Sequence, residues 1–139
     1  MRIGIDLGGS KTEIIALDNS GQTLVRHRTP TPKTYSNILN NIRLMVLQCE
    51  NKLGQQGSLG IGIPGSISPS TGLVKNANTT CLIGNPLVQD LQTMLERPVR
   101  IANDADCFAL SEFVDGAGKD FDNIFAVIMG TGTGGGLII

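Results

Sequence analysis

The hexapeptide DLGGSK near the start of this 139-residue chain combines a carboxylate with glycines, a hydroxyl and a positive charge. Gly8 and Gly9 let backbone N–H groups approach a phosphate closely, and Ser10 and Lys11 add side-chain donors. Asp6, at the end of a predicted strand, can hold Mg²⁺ directly or through water. A plain β-hairpin turn with a surface lysine is the alternative. The segment is not a P-loop, because a strand and not a helix is expected after it.

A second glycine-rich segment, GTGTGGG at residues 130–136, predicts another phosphate-binding hairpin. The candidate phosphate contacts are Gly130, Thr131, Gly132, Thr133 and Gly134. The segment matches the pattern G-x-G-x-x-G, but residues 60–65 match it too, so the pattern is unspecific. Because β-like sequence follows and not a helix, we reject a dinucleotide site. A glycine-rich hairpin without a ligand stays an alternative.

An Asn-Asp pair lies where a predicted strand enters a predicted helix. Asn103 suits the helix N-cap, and Asp104 suits the first turn, where the helix N-terminus favours an ionised carboxylate. Phosphoryl transfer depends mainly on positioning and charge stabilisation, so Asp104 could act as a base that accepts a late proton. In the alternative interpretation, Asp104 and Asp106 only complement the helix dipole.

The segment GIPGS at residues 62–66 ends another predicted strand and is followed by Asn76 and Asn78. A strand that ends in Pro-Gly ahead of amide side chains could line a polar pocket, and an ordinary turn and loop is the alternative. Cys107 and Phe108 are expected to lie in the core.

Apolar periodicity predicts a mixture of strands and helices along the chain. The predicted strands are 2–6, 12–17, 22–29, 59–63, 99–102 and 123–129. The predicted helices are 35–53, a segment that starts at Pro86, and 104–114. Residues 66–85 are expected to be a loop with a short strand near 73–74.

An apolar run ends the chain, so we expect residues 1–139 to be the N-terminal lobe of a two-lobe protein whose C-terminal lobe is absent.

Composition argues against several classes of function. With 40% hydrophobic and 17% charged residues, the chain can bury a core. The formal net charge of -1 provides no basic field for nucleic acid. No apolar stretch approaches the roughly 18 residues of a membrane span, and the N-terminus lacks a signal peptide. The three cysteines match neither a disulfide framework nor a zinc motif. We therefore expect a cytoplasmic protein with no nucleic-acid or membrane partner.

Taken together and in this order, the four segments resemble the ROK family of bacterial sugar kinases across the whole chain. DLGGSK is similar to the family's opening phosphate motif, with Ser10 where the family usually has Thr. GIPG is similar to its sugar-side loop, Asn103-Asp104 to the pair that contacts sugar hydroxyls and supplies the base, and GTGTGGG to its second phosphate loop. Asp106 departs from a common Asn. The stretch 65–78 looks closest to the fructokinase/mannokinase-like branch, with N-acetylglucosamine kinases next.

This resemblance implies an α/β fold, namely an actin-like ATPase lobe of the ribonuclease H type, with a mixed sheet and helices on its faces. It implies ATP-dependent phosphorylation of a hexose, with Asp104 as catalytic base and Asp6 as the Mg²⁺ ligand. The implied ATP contacts are Asp6, Gly8, Gly9, Ser10, Lys11, Gly130, Thr131, Gly132, Thr133 and Gly134. The implied sugar contacts are Gly65, Ser66, Asn78 and Asn103.

The resemblance also sets expectations about partners. We expect no zinc in this chain, because the family's Cys-rich zinc motif would lie beyond residue 139. We expect the isolated chain to be inactive. We also expect a homo-oligomer, because the apolar run at residues 137–139 exposes surface that a second copy would cover. A ROK-type transcriptional repressor that binds sugar without catalysis is one alternative, but such proteins carry a helix-turn-helix ahead of the first motif, and Asp6 lies almost at the start here. A non-catalytic interaction lobe is the other alternative.

Overall fold

The first thirty residues form three antiparallel strands, and the first two of these bury every second side chain. The computed structural model describes residues 1–129 and 133–139. β1 (Arg2–Leu7), β2 (Lys11–Leu17) and β3 (Thr23–Pro30) pair in chain order. Pro30, one residue beyond the predicted strand, is the last residue of β3, and its missing N–H is tolerated because β3 is an edge strand.

A long amphipathic helix connects these strands to a parallel strand. α1 (Tyr35–Leu53) buries the apolar residues that recur at helical spacing, and it ends where Gly54 adopts a left-handed conformation at φ 64°. β4 (Ser58–Ile63) then pairs in parallel with β1. The connection that follows, expected to be mostly loop, contains a short hairpin of β5 (Ser66–Ile67) and β6 (Val74–Lys75) and a 3₁₀ helix at Thr80–Leu82.

A second crossover completes the sheet. α2 (Leu87–Leu95) begins one residue later than predicted, with Pro86 as its N-cap. β7 (Val99–Asn103) pairs in parallel with β4. The strand order is β3-β2-β1-β4-β7, with parallel and antiparallel neighbours. The predicted mixed α/β sheet is therefore confirmed.

The two crossover helices cover one face of this sheet and form the core with it. The largest fully buried apolar side chains come from β1, β2, β4, α1, α2, β6 and the 3₁₀ helix, and they are Leu7, Ile14, Ile38, Ile42, Val46, Ile63, Val74, Leu82, Leu87 and Leu91. The opposite face carries small residues at its centre, Gly4, Gly60, Gly62 and Ala102. We call this second side the open face of the sheet.

The remaining elements are α3 (Asp104–Val114) and a hairpin of β8 (Ile124–Met129) and β9 (Thr133–Ile138). α3 follows β7 without a loop, and the hairpin packs on α3. A methyl group on Gly136 of β9 would lie 2.7 Å from the Cβ of Ala109 on α3, so only glycine permits this approach. None of the helices in the described ranges is long and apolar enough to cross a membrane.

The described residues of the glycine-rich segment 130–136 belong to a strand. Residues 134–136 lie inside β9, where they provide close packing. Residues 130–132 lie outside the described part of the chain. A strand and not a helix follows this segment, as predicted.

Candidate active site

One row of residues crosses all five strands and places a carboxylate near the centre of the sheet. Arg28 on β3 lies opposite Glu13 on β2, and Glu13 lies opposite Asp6 on β1. Asp6 pairs with Gly62 on β4, which pairs with Ala102 on β7. Residues paired in this way project from the same side of a sheet. The row therefore lies on the open face, away from α1 and α2.

The start of α3 lies over the sheet at Gly62, beside Asp6. A methyl group on Gly62 would lie 3.7 Å from the Cα of Asp104 and 3.6 Å from the Sγ of Cys107. Asp104 is the first residue of α3, and its Oδ1 accepts a hydrogen bond from the N–H of Ala105 at 2.9 Å. The structure therefore brings together the two carboxylates that the sequence singled out as metal ligand and proton acceptor.

These carboxylates interact through their charges. The protein atoms packed around Asp6 desolvate its carboxylate, and the negative charges of Asp104 and Glu13 add to this effect, so the pKa of Asp6 is raised above its ordinary value of 3.8. Arg28 partly offsets the rise in this pKa. A bound cation would relieve the repulsion between these carboxylates.

Glu13 is held from its other side by two arginines of β3. The Nε of Arg26 donates to Oε1 of Glu13 at 2.7 Å, and the Nε of Arg28 donates to Oε2 at 2.5 Å. Desolvation alone would raise the pKa of Glu13, but the hydrogen bonds from both arginines lower it. Sequence reasoning missed Glu13, and the available signal was its position opposite Asp6 in the hairpin register.

The turn between β1 and β2 is the first predicted phosphate-binding segment. The N–H of Gly8 donates to the carbonyl oxygen of Lys11 at 3.0 Å, and a methyl group on Gly8 would lie 2.8 Å from that oxygen. Thr31 holds the turn from below, since its Oγ1 donates to the carbonyl of Gly8 at 2.7 Å and its N–H donates to the carbonyl of Ser10 at 2.9 Å. Gly9, Ser10 and Lys11 are exposed around the turn. Sequence reasoning missed Thr31, which directly follows β3.

Asn103 joins α3 to the predicted sugar-side loop. Its Oδ1 accepts hydrogen bonds from the N–H groups of Ala105 at 3.0 Å and Asp106 at 3.4 Å, so it is the predicted N-cap. Its Nδ2 donates to the carbonyl oxygen of Gly65 at 2.9 Å. Within the described residues, one N–H of this amide is left for a ligand.

Gly65 packs on the neighbouring loop so closely that no side chain would fit. A methyl group there would lie 2.9 Å from the Cα of Ala77 and 3.0 Å from the carbonyl oxygen of Lys75. Asn78 donates its N–H to the carbonyl of Pro64 at 3.0 Å, and its side chain is exposed. The predicted sugar contacts that this packing brings near one another are Gly65, Ser66, Asn78 and Asn103.

The described end of the second glycine-rich segment lies beside the first turn of α3. A methyl group on Gly134 would lie 3.3 Å from the Cβ of Ala105, the residue after Asp104. Thr133 is exposed at the start of β9. The predicted phosphate contacts of Gly130, Thr131 and Gly132 fall outside the described residues and stay predictions.

A groove of about 1050 Å³ follows the open face of the sheet and one side of α3. Asp6, Asp104, Cys107 and Phe108 contribute to its walls. The prediction that Cys107 and Phe108 belong to the core is wrong, because both are exposed. α3 buries its alanine face against β9, which turns these two larger side chains to the groove.

Within residues 1–129 and 133–139, no three His, Cys, Asp or Glu side chains form a metal-binding cluster. Mg²⁺ does not need one, because it usually keeps several waters and binds one or two carboxylates plus the phosphates of a substrate. Asp6, with Asp104 nearby and the glycine turn two residues further along the chain, fits this mode of binding.

The mixed sheet with its crossover helices has an α/β fold of the actin-like ATPase type, which solved ROK kinases share. Residues 2–139 match the model of the ROK family, and the chain belongs to this family. Both the resemblance inferred from the four motifs and the predicted fold class are confirmed.

Similar proteins of known name agree with this membership. The N-acetyl-D-glucosamine kinase of Yersinia pestis bv. Antiqua (strain Nepal516) is 41% identical over 140 residues, which cover 100% of this chain and 55% of the relative. The chain spans about half the length of the curated relatives it matches.

Solved structures share the fold. The crystal structure of a ROK family glucokinase from Streptomyces griseus, in complex with glucose and AMPPNP, matches with a TM-score of 0.88 and 31% identity, over 99% of this chain and 44% of that one. A ROK family transcriptional regulator, a homologue of the E. coli MLC protein, matches with a TM-score of 0.84 over 99% of this chain and 36% of that one. Its identity of 19% shows a shared fold alone.

Proposed function

We propose that residues 1–139 are one lobe of a sugar kinase that transfers the terminal phosphoryl group of ATP to a hydroxyl of a hexose. The observation that carries this proposal is the position of Asp104 beside Asp6 across Gly62, at the end of β1 where the glycine turn begins. Membership of the ROK family and the kinase names of the relatives support it.

Asp104 would accept the proton of the attacking hydroxyl. The Asn103 cap and the N–H of Ala105 fix its place in the first turn of α3. An aspartate suits this role, because phosphoryl transfer depends mainly on positioning and charge stabilisation, and the proton moves late.

The β1–β2 turn would bind the phosphate end of ATP. Mg²⁺ held at Asp6 would supply neutralisation of the phosphate charge. Backbone N–H groups of Gly9 and Ser10 would donate to phosphate oxygens, and Lys11 would add positive charge. The segment from Gly130 to Gly134 would contribute further phosphate contacts. Two glycine segments suit a transition state whose charge is spread over several oxygens.

The sugar would lie between the Gly65 loop and the start of α3. Asn78, the free N–H of the Asn103 amide and the Gly65-Ser66 backbone would orient its hydroxyls, with the reacting hydroxyl at Asp104. The names of the curated relatives favour N-acetyl-D-glucosamine as the hexose. The motif resemblance of residues 65–78 favours fructose or mannose, so all three belong in the test.

The test is turnover of Mg²⁺–ATP by the complete protein with N-acetylglucosamine, fructose, mannose and glucose. Asp104→Asn keeps the size of the side chain but removes the proton acceptor, so kcat should fall at least about a hundredfold. Asp106→Asn is a matched control on the exposed side of the same turn and should keep its kcat. If the wild type binds sugar but phosphorylates none of the four, the kinase proposal fails and a sugar-binding regulator is favoured. Normal kcat in Asp104→Asn would remove Asp104 from the mechanism.

A further inference from the structure

Among the described residues, the polar residues with the smallest exposed fractions are three threonines near the glycine turn. These threonines are Thr12, Thr31 and Thr79, with exposed fractions of 0%, 4% and 9%. The hydroxyls of Thr12 and Thr31 lie 2.9 Å apart, and Thr31 donates its proton to the carbonyl of Gly8. Thr12 therefore donates to Thr31, and both hydroxyls are satisfied while they hold the turn.

Thr79 has no such partner. Its Oγ1 is buried and makes no hydrogen bond to any described residue. Its backbone carbonyl accepts from the N–H of Leu82 at 3.0 Å, but its side chain does not cap the 3₁₀ helix that it precedes. The other buried unpartnered side-chain atoms in the same ranges belong to Arg97, whose remaining nitrogen is paired with Glu50. Arg97 therefore keeps a partner for part of its side chain, whereas the single polar group of the Thr79 side chain has no hydrogen-bond partner among the described residues.

The location of this hydroxyl relates it to the phosphate site. A methyl group on Gly9, at the tip of the glycine turn, would lie 3.7 Å from Oγ1 of Thr79. Thr79 also directly follows Asn78, which belongs to the predicted sugar-side loop and is tied by its backbone to Pro64. The hydroxyl therefore lies between the segment that would hold the phosphate and the segment that would hold the sugar.

A buried hydroxyl without a partner destabilises a folded protein, whereas valine would fill nearly the same volume with no polar group to satisfy. The free-energy cost of the unpaired hydroxyl is removed when a ligand supplies a hydrogen-bond acceptor. Because the Thr79 hydroxyl lies beside the tip of the turn that would bind phosphate, this acceptor would be a phosphate oxygen.

We propose that the Thr79 hydroxyl donates a hydrogen bond to an oxygen of the phosphoryl group that passes from ATP to the sugar. This inference rests on the proposed kinase function. It adds to the phosphate site a residue that neither glycine segment contains, and it makes the 3₁₀ helix part of that site.

The test compares three variants of the complete protein. Thr79→Val keeps the shape and removes the hydroxyl, Thr79→Ser keeps the hydroxyl, and Thr80→Val makes the same change at the exposed neighbouring residue. Hydrogen bonds to charged groups are among the stronger ones, so Thr79→Val should lower kcat/KM for ATP by about tenfold to a hundredfold. Thr79→Ser should stay within about threefold of the wild type, and Thr80→Val should match it.

Thermal unfolding without ligands separates binding from a structural role. Thr79→Val should unfold at the wild-type temperature or above, since it removes an unpaired buried group. The inference is overturned if Thr79→Val has wild-type kinetics, if its Tm falls together with its activity, or if only the KM for sugar changes. A wild type without kinase activity would overturn the proposed function and this inference with it, whereas an active wild type that Thr79→Val matches would overturn this inference alone.

Discussion

The side-chain amide of Asn103 donates a hydrogen bond to the carbonyl oxygen of Gly65 at 2.9 Å, while its oxygen caps the helix that begins with Asp104. One side chain thus fixes both the sugar-side loop and the helix that carries the proposed base. The two roles use opposite ends of the amide, so they can be separated by substitution.

Asn103→Asp should preserve the helix cap and lose the contact with Gly65, because a carboxylate can accept but not donate. We expect a small change in the free energy of unfolding but a clear fall in kcat/KM for the sugar. Asn103→Ala should lose both roles and destabilise the protein by about 0.5–2 kcal/mol. Urea unfolding and sugar-dependent kinetics of both variants measure this. Wild-type kinetics in Asn103→Asp would show that the Gly65 contact has no role in the site.

Asp6→Asn should make the protein more stable at neutral pH and remove Mg²⁺-dependent turnover. The folded protein holds the proton of Asp6 to higher pH than the unfolded chain does, because the pKa of Asp6 is raised in the folded state. Its contribution to the free energy of unfolding is therefore present below pH 3.8 and is lost as the pH rises through the raised pKa. The Asn variant should lack this part of the pH dependence.

Thermal unfolding of Asp6→Asn and wild type between pH 3 and 8 provides the comparison. Arg2→Gln, an exposed change at the other end of β1, is a control that should leave turnover intact. Lower stability of Asp6→Asn across the whole pH range would contradict the charge repulsion described for the Asp6 carboxylate.

Gly65→Ala should displace the sugar-side loop, since its methyl group would lie 2.9 Å from Ala77. Overpacking of this kind typically destabilises a protein by about 1–3 kcal/mol, and the KM for sugar should rise. Gly60→Ala is the matched control, because a methyl group at Gly60 meets nothing within 4 Å. Chemical unfolding gives the free energy of unfolding of both variants, and sugar titration gives their KM for sugar. Equal values for Gly65→Ala and Gly60→Ala would refute the packing argument.

Tyr35→Phe should weaken the contact between α1 and α2 without affecting catalysis. The hydroxyl of Tyr35 donates to Oδ2 of Asp90 at 2.7 Å, and burial, together with this hydrogen bond, raises the pKa of Tyr35. Loss of the bond should lower the free energy of unfolding by about 0.5–1.5 kcal/mol, with kcat unchanged. A double-mutant cycle with Asp90→Asn would measure the pair, and additive effects would show that the two groups do not interact.

The sequence predicted those parts of the fold that depend on local patterns. The helical spacing in 35–53, the Asn103 cap and the glycine turn after Asp6 each need only neighbouring residues, and each is where it was expected. The cytoplasmic location, the homo-oligomer and the absence of zinc stay predictions.

The parts that sequence reasoning missed depend on pairing between distant segments. Glu13 lies opposite Asp6 because of the register between β1 and β2. Thr31 donates a hydrogen bond to Gly8, although the two residues are 23 positions apart in the sequence. Cys107 and Phe108 are apolar, so the sequence predicts that they are buried. The sequence does not show which side of α3 packs on another element, and this determines which residues are buried. That element is β9, whose glycines are spaced for close packing.

The approach of Gly136 to Ala109 also determines how the site can move. With no side chain between them, the hairpin packs closely on α3, and α3 contacts this hairpin more extensively than it contacts β4 and β7. A rotation that widens or narrows the groove would therefore bend the chain near Asn103 and carry Asp104 along with the hairpin. The proposed proton acceptor would then stay near the end of the second glycine segment, and the changing distance would be the one to Asp6.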